Sequence, residues 1–118
     1  MKKEQQSLSP VEECILTVLD GNEMYGLEIL DALEHGSGGK LQLGTGTLYP
    51  TLRRLENKGF VETRWGDEIL EERGGARRKY YKITPKGAKI LRGNQQIRAS
   101  LAVWKALQST KSSNYENA

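Results

Sequence analysis

The chain has 118 residues, one cysteine and a formal net charge of +3. This length is enough for one domain with a modest hydrophobic core and excludes two separate cores. A single cysteine excludes an internal disulfide framework, and the sequence contains neither a membrane-spanning apolar run nor a signal peptide. We therefore expect a cytoplasmic protein with no membrane partner.

Charge is divided unevenly along the sequence. Residues 1–52 contain three basic and eight acidic side chains, a balance of −5, whereas residues 53–118 contain fifteen basic and seven acidic ones, a balance of +8. Such segregation within one small domain favours a basic face that neutralises phosphates. The alternative is a surface that is charged only for solubility.

The first predicted helix begins with Ser9-Pro10-Val11-Glu12. Ser9 can cap the helix, Pro10 fits the first helical position, and Glu12 completes a capping box. The helix is expected to end at Gly21. Its apolar stripe consists of Val11, Cys14, Ile15, Val18 and Leu19. Because Cys14 lies on this stripe, we interpret it as a buried hydrophobic residue and not as a nucleophile.

A second helix is predicted from Met24 to Leu33, with its end at Gly36. Its apolar face contains Leu27, Ile29, Leu30 and Leu33. Gly26 is expected to be a close packing point, because no strand precedes it and no second glycine follows at the spacing of a nucleotide-binding loop. The segment from Lys40 to Leu43 alternates in polarity and is predicted to be a short strand.

The third predicted helix lies within Gly44 to Phe60 and has both a start and a stop signal. Thr45 and Thr47 are candidate N-caps, and Pro50 is expected in the first turn, where its missing N–H costs little. Gly59 can adopt the left-handed conformation that closes a helix.

The two faces of this third helix differ in chemistry. Leu48, Leu52 and Leu55 form an apolar stripe at helical spacing, which must be buried against neighbouring helices. The opposite face offers side chains that can contact base edges, phosphates or sugars: Thr47, Tyr49, Pro50, Arg53 and Asn57. We interpret this helix as a DNA-recognition helix. The alternative is an ordinary amphipathic helix with solvated arginines.

A β-hairpin is predicted directly after the third helix, with strands at Phe60–Trp65 and Arg77–Ile83. Tyr81 and Ile83 share the core-facing side of the second strand. A hairpin in this place has the layout of a wing. The wing residues expected to reach the adjacent backbone or minor groove are Arg73, Arg77, Arg78 and Lys79. The residues expected to clamp the DNA backbone are Arg54, Arg73, Arg77 and Lys79. The alternative for the basic strand is a solvated edge, charged to block aggregation.

The last predicted helix starts at Thr84-Pro85 and runs to about Leu107. Its seam has alternating spacings of four and three, as in a coiled coil, and contains Ile90, Asn94, Ile97, Leu101 and Trp104. A helix this long cannot be buried on so small a body, so the seam is expected to pack on a second subunit, with Asn94 fixing the register. We therefore divide the chain into a winged helix-turn-helix at 1–84, a dimerisation helix at 85–108 and a disordered tail at 109–118.

With these residues in hand, the chain resembles the PadR-like transcriptional regulators, and the match covers Leu8 to about Leu107. The shared motifs are the Met24–Ile29 segment, Gly46–Glu56, Arg78–Thr84 and a tryptophan in the final helix. The resemblance implies an α+β, mainly α fold: a winged helix-turn-helix dimer in which the helix holding Tyr49 reads DNA and the C-terminal helix is the dimerisation arm.

The resemblance also implies finer features. The short C-terminal region is similar to the compact branch of the family, some members of which bind flat aromatic drugs beside a tryptophan in the position of Trp104. The extended acidic-then-basic wing, Glu68 to Arg78, is similar to that of the cyanobacterial circadian period-extender (Pex) branch, which implies a role in the circadian clock.

The leading functional hypothesis is a homodimeric, sequence-specific repressor that binds double-stranded DNA at a palindromic operator. Tyr49 and Arg53 are the predicted base-contacting residues. Two alternatives stay open: a repressor gated by a small aromatic ligand at Trp104, and a winged helix that docks proteins. An enzyme is not expected, and neither is a metal or cofactor, because His35 and Cys14 have no partners that would build such a site.

Overall fold

The computed structural model of the protein describes residues 7–67 and 74–117, with side chains described up to Thr110. Its elements are α1 (Pro10–Leu19), β1 (Met24–Tyr25), α2 (Gly26–Gly36), α3 (Thr45–Asn57), β2 (Val61–Trp65), β3 (Lys79–Ile83) and α4 (Pro85–Asn117). The strands form one antiparallel sheet in the order β1-β3-β2. This architecture confirms the predicted fold class, mainly helical with a small sheet and a long last helix.

The start of α1 is the predicted capping box. The Glu12 N–H donates to Ser9 Oγ at 3.2 Å, and the Ser9 N–H donates to Glu12 Oε1 at 2.8 Å. Pro10 occupies the start of the helix, and Gly21 follows its end with φ +87°. The cap therefore satisfies backbone donors that α1 cannot satisfy within itself.

The second helix starts two residues later than predicted, because Met24 and Tyr25 form β1. Met24 pairs with Tyr81 and Tyr25 with Tyr80 on β3. The helix then begins at Gly26, so that Ile29 and Leu33, four residues apart, face the core. Leu27 lies off this stripe and is exposed, which corrects its predicted place on the apolar face.

The segment between α2 and α3 contains no strand, so the prediction for Lys40 to Leu43 is wrong. Local bonds hold this segment against the end of α2 instead. The Leu41 N–H donates to Ser37 Oγ at 2.8 Å, and Gln42 Nε2 donates to the Gly39 carbonyl at 3.1 Å. Alternating polarity over four residues gives a strand only where another strand lies beside it to pair.

The start of α3 also differs from the prediction. Gly44 is the N-cap and no side chain caps the helix, so Thr45 and Thr47 lie in its first turn. The N–H groups of Thr47 and Leu48 both donate to the Gly44 carbonyl, at 3.1 and 3.0 Å. Pro50 consequently lies in the second turn, inside the helix, where it cannot donate to the Gly46 carbonyl.

The end of α3 is a Schellman motif, as the glycine predicted. Gly59 has φ +81°. Its N–H donates to the Glu56 carbonyl and the Phe60 N–H donates to the Leu55 carbonyl, both at 2.9 Å. These two bonds satisfy carbonyls that the helix leaves open, and they turn the chain directly into β2.

One hydrophobic core lies between the helices and the inner face of the sheet. The predicted stripe of Leu48, Leu52 and Leu55 is fully buried in it. The other fully buried apolar side chains are Ile15, Leu16, Leu19, Ile29, Phe60 and Leu91. Through Leu91, the first part of α4 packs on this core.

Helix α4 is longer than predicted. It continues to Asn117, whereas the sequence predicts an end near Leu107 and a disordered tail from Ser109. No glycine or proline follows Gly93, so no residue type that breaks helices interrupts it. Among the residues described, no helix has both the length and the apolar character that crossing a membrane would require.

Candidate nucleic-acid interface

The polar face of α3 is exposed along the length of the helix. The exposed side chains include all six predicted DNA-contacting residues of this helix: Thr45, Thr47, Tyr49, Pro50, Arg53 and Arg54. Acidic side chains do not interrupt this face, because Glu56 is half-buried and accepts a hydrogen bond from Thr63 Oγ1 at 3.3 Å. The face is therefore polar, basic and open.

Tyr49 has a packing role as well as an exposed surface. Its hydroxyl lies against Gly26, where an added Cβ would overlap it, and 37% of the residue stays exposed. The expectation that Gly26 is a close packing point is thereby confirmed. The contact places the phenol on the first turn of α2 and so fixes how α2 and α3 cross.

The adjacent residues Arg53 and Arg54 have different surroundings. Arg53 is exposed and forms no ion pair with another described residue. Arg54 donates from Nη2 to Thr51 Oγ1 at 3.1 Å, and its Nε lies 3.6 Å from Glu12 Oε2. The guanidinium of Arg53 is therefore available to a ligand, whereas that of Arg54 is partly held within the protein.

Glu12 is a buried acidic residue that anchors the end of α3. It is only 2% exposed, and Lys58 Nζ donates to both of its carboxylate oxygens, at 3.1 and 3.2 Å. Burial alone would raise the pKa of Glu12, but the Ser9 N–H and the cations Lys58 and Arg54 outweigh it and lower that pKa. From the sequence, Glu12 is predicted only to cap α1. Its pairing with Lys58 and Arg54 could not be predicted, because these residues are distant in the sequence.

The wing is attached to α3 by its inner face. In the β2–β3 register, Val61 opposes Ile83, Thr63 opposes Tyr81, and Trp65 opposes Lys79. Val61 and Tyr81 are buried, and the Thr63 bond to Glu56 joins β2 to α3. The predicted hairpin is confirmed, with its second strand shortened to Lys79–Ile83.

The outer face of the sheet is a ladder of stacked cations and rings. The Arg64 guanidinium lies 4.7 Å from the Tyr80 ring centroid and that of Arg78 lies 4.3 Å from the Tyr25 centroid. The two rings meet edge to face at 5.6 Å. Arg64 also donates twice to the Glu23 carboxylate at 2.8 Å, and these bonds lower the pKa of Glu23. This ladder ties the hairpin to the start of α2.

The four predicted wing cations therefore differ in availability. Arg77 is exposed and makes no ion pair with the described residues. Lys79 lies near two rings, and Arg78 is stacked on Tyr25 with its Nε buried. Arg73 lies outside the described residues. Stacking of Arg78 could not be read from the sequence, because it depends on β1.

The predicted dimer seam divides into two parts. Ile90 and Asn94 are half-buried against the domain itself, whereas Ile97, Leu101 and Trp104 are exposed. Val103 and Leu107 are further exposed apolar residues on α4. Near the start of the exposed part, Arg98 Nη2 lies 2.7 Å from Glu13 Oε1 of α1, as an ion pair at contact distance.

Two helices joined by the segment 37–44, the second with an exposed basic face beside a β-hairpin, define a winged helix-turn-helix protein. The profile of the Transcriptional regulator PadR-like family matches residues 15–93. The chain belongs to this family, so it is a transcriptional regulator and not an enzyme. The described part of the chain contains no group of three acidic, histidine or cysteine side chains that could hold a metal ion.

Known proteins support this assignment. Transcriptional regulator YqjI of Escherichia coli is 30% identical over 82 residues, which are 70% of this chain and 36% of that protein, so the chain spans about a third of it. A PadR-like transcription factor from Bacteroides fragilis is 34% identical, with a TM-score of 0.62 over 85% of this chain and 84% of that one. Bacillus subtilis PadR in complex with operator DNA shares the fold, at 22% identity and a TM-score of 0.63 over 74% and 47% of the two chains.

Proposed function

We propose that the chain is a homodimeric repressor that places two copies of α3 in successive major grooves of a palindromic operator. The observation that carries this proposal is the open polar face of α3 next to the wing, with an Arg53 that forms no ion pair with the described residues. A helix of this kind enters the major groove, and the two half-sites then lie about 34 Å apart. The operator-bound Bacillus subtilis PadR supports this mode of binding by analogy of fold.

The distal half of α4 supports the homodimer. Ile97, Leu101, Trp104 and Leu107 follow one another at spacings of four, three and three, and all are exposed. Apolar side chains on one stripe of a helix are stable when a neighbour covers them. A second copy of the chain offers the same stripe, and a symmetric pair of α4 helices would cover both.

The proposed DNA contacts follow the availability of each side chain. We assign base-edge contacts to Arg53 and the exposed part of Tyr49, with Thr45, Thr47 and Pro50 alongside them, because these side chains are exposed on one helix. We assign phosphate contacts from the wing to Arg77 and Lys79. Arg54 and Arg78 are expected to contribute less to DNA binding, because each already contacts another side chain of the protein.

The test is selection of the purified protein against random duplexes at near-physiological salt. We expect enrichment of a palindrome whose half-sites are about ten base pairs apart. Weak binding that vanishes as salt rises, with no enriched sequence, would contradict the proposal and favour a protein-docking winged helix.

The roles of the two arginines on α3 can be separated with the selected duplex. Arg53→Ala should cost roughly 1–3 kcal/mol of binding free energy and relax the sequence preference, because it removes a base contact. Arg54→Ala is the matched control and should cost less on all sequences alike. Equal losses on selected and shuffled duplexes for Arg53→Ala would contradict its role as a base-reading residue.

A second candidate function is a repressor gated by a flat aromatic ligand between the two copies of Trp104. The observation that favours it is the exposure of this indole, 58% in one chain. In a Trp65→Phe background, an aromatic compound should quench Trp104 fluorescence and weaken operator binding in parallel. Quenching without any change in DNA affinity would reduce Trp104 to an interface residue. The circadian role stays a prediction. It is based on the wing segment from Glu68 to Arg78, and residues 68–73 of this segment lie outside the described residues.

A further inference from the structure

Trp65 is a large aromatic residue that the fold does not bury. It ends β2 and is 60% exposed. Alternation along the strand places it on the same side as Val61 and Thr63, and this side packs toward α3. Val61 is buried and Thr63 is bonded to Glu56, whereas the indole projects beyond the area that α3 covers. Trp65 therefore lies at the exposed end of the inner face of the wing.

Lys79 stands beside this indole. It opposes Trp65 in the strand register, and its Nζ lies 5.8 Å from the Trp65 ring centroid and 5.9 Å from that of Tyr81. No carboxylate of the described residues neutralises it. On the outer face of the sheet, by contrast, the Arg64 charge is paired with Glu23. The inner face thus presents an apolar ring beside a cation that forms no ion pair with the described residues.

The inner face of the wing borders α3. Thr63, two residues before Trp65 on the same side of β2, donates from Oγ1 to Glu56 Oε2 of α3 at 3.3 Å. The buried Tyr81 opposes Thr63 and lies beside Lys79. Trp65 and Lys79 therefore extend the face of the wing that packs on α3.

We propose that Trp65 packs its indole on a deoxyribose of the DNA backbone beside the groove that α3 enters, while Lys79 binds the adjoining phosphate. A sugar offers an apolar surface and a phosphate offers a negative charge, which match the ring and the cation. The proposal rests on the proposed function. Because sugars and phosphates are the same at every step, this contact adds affinity and register but no sequence preference.

Direct detection uses the whole protein labelled with 5-fluorotryptophan. The chain contains two tryptophans, so its ¹⁹F spectrum has two signals, which Trp65→Phe assigns. Titration with the selected duplex should shift the Trp65 signal until the protein is saturated, and move the Trp104 signal less. An unchanged Trp65 signal at full saturation would overturn the proposal. If the unsubstituted protein binds no duplex at all, the proposed function itself has failed, and this is seen before any variant is made.

Affinity measurements provide the second arm. Trp65→Ala should weaken binding by about tenfold, equally on selected and shuffled duplexes, and leave the salt dependence unchanged. Lys79→Gln should reduce the slope of log affinity against log salt by about one for each protomer, and so by about two for the proposed dimer. Lys82→Gln is the matched control, because Lys82 alternates to the outer face of β3, and its slope should stay the same. Wild-type affinity of Trp65→Ala would overturn the proposal. If the alanine variant does not fold, Trp65→Thr removes the ring and keeps a residue that suits a strand, and wild-type affinity of that variant would overturn the proposal equally.

Discussion

The first and second parts of α4 differ in what covers their apolar side chains. In the first part, Gly87 lies against the Phe60 carbonyl and Leu91 is fully buried in the core. In the second part, Leu101 and Trp104 each expose more than half of their surface. The same helical periodicity runs through both parts, so periodicity alone does not tell whether the partner belongs to the same chain or to another one.

The largest effect is expected from a substitution in the first part of α4. Leu91→Ala should lower the free energy of unfolding by about 2–5 kcal/mol, because it removes a buried side chain and leaves a cavity. The loss should be the same at all protein concentrations in urea titrations. Leu101→Ala is the control from the second part, and its cost should appear as a stronger dependence of the midpoint on concentration. An equal loss of unfolding free energy for both variants, independent of protein concentration, would contradict the distinction between the two parts of α4.

Two glycines of α4 provide a sharper version of the same comparison. Gly87→Ala should cost about 1–3 kcal/mol, because the new Cβ would overlap the backbone carbonyl of Phe60. At Gly93 a Cβ would meet nothing within 4 Å, so Gly93→Ala should stabilise the helix by about 0.5–1 kcal/mol. Thermal unfolding measures both changes. Destabilisation by Gly93→Ala would show that α4 is already closely covered at this point.

The ion pairs of Glu12 join α1 to α3, and a substitution at Glu12 measures how much they stabilise the domain against which the first part of α4 packs. Glu12→Gln should cost about 1–2 kcal/mol, less than for a fully buried pair because Lys58 and Arg54 are partly exposed. The folded-state pKa of Glu12 lies below its ordinary value of 4.5. The carboxylate therefore contributes stability that is fully present above pH 4.5 and is lost as the pH falls through the folded pKa. Urea titrations between pH 3 and 7 should show a smaller acid loss in the glutamine variant, and an identical loss would contradict this role.

The smallest expected effect lies at the border between the two parts of α4. Arg98→Ala removes the ion pair with Glu13, and because the Arg98 side chain is largely exposed the cost should be below about 1 kcal/mol. Added salt should lessen the difference between the variant and the wild type. A salt-independent loss would indicate that Arg98 acts through packing of its aliphatic part.

Features that depend on neighbouring residues in the sequence were predictable. The capping box at Ser9, the glycine stop at Gly59 and the leucine stripe of α3 follow from local rules of helix capping and periodicity. The hairpin follows from alternation of residues along its strands. Local chemistry determined these elements, and the tertiary structure agrees with it.

Features that depend on distant residues were not predictable. Strand β1 has two residues and exists because β3 lies beside it. Arg78 was assigned to DNA, but its stacking requires Tyr25, more than fifty positions earlier in the sequence. Likewise, the role of Glu12 requires Lys58. In the candidate site, the sequence identified the chemistry of the side chains but could not show which of them already form contacts within the protein.

The two adjacent glutamates of α1 also define a mechanical connection. Consecutive residues on a helix point about 100° apart, so Glu12 is directed to α3 while Glu13 is directed to α4. Helix α1 therefore joins the helix proposed to read DNA to the helix proposed to join the subunits, through two neighbouring side chains and without an intervening loop. If α4 rotates against α1, we expect the displacement to reach Lys58 at the end of α3 by this route.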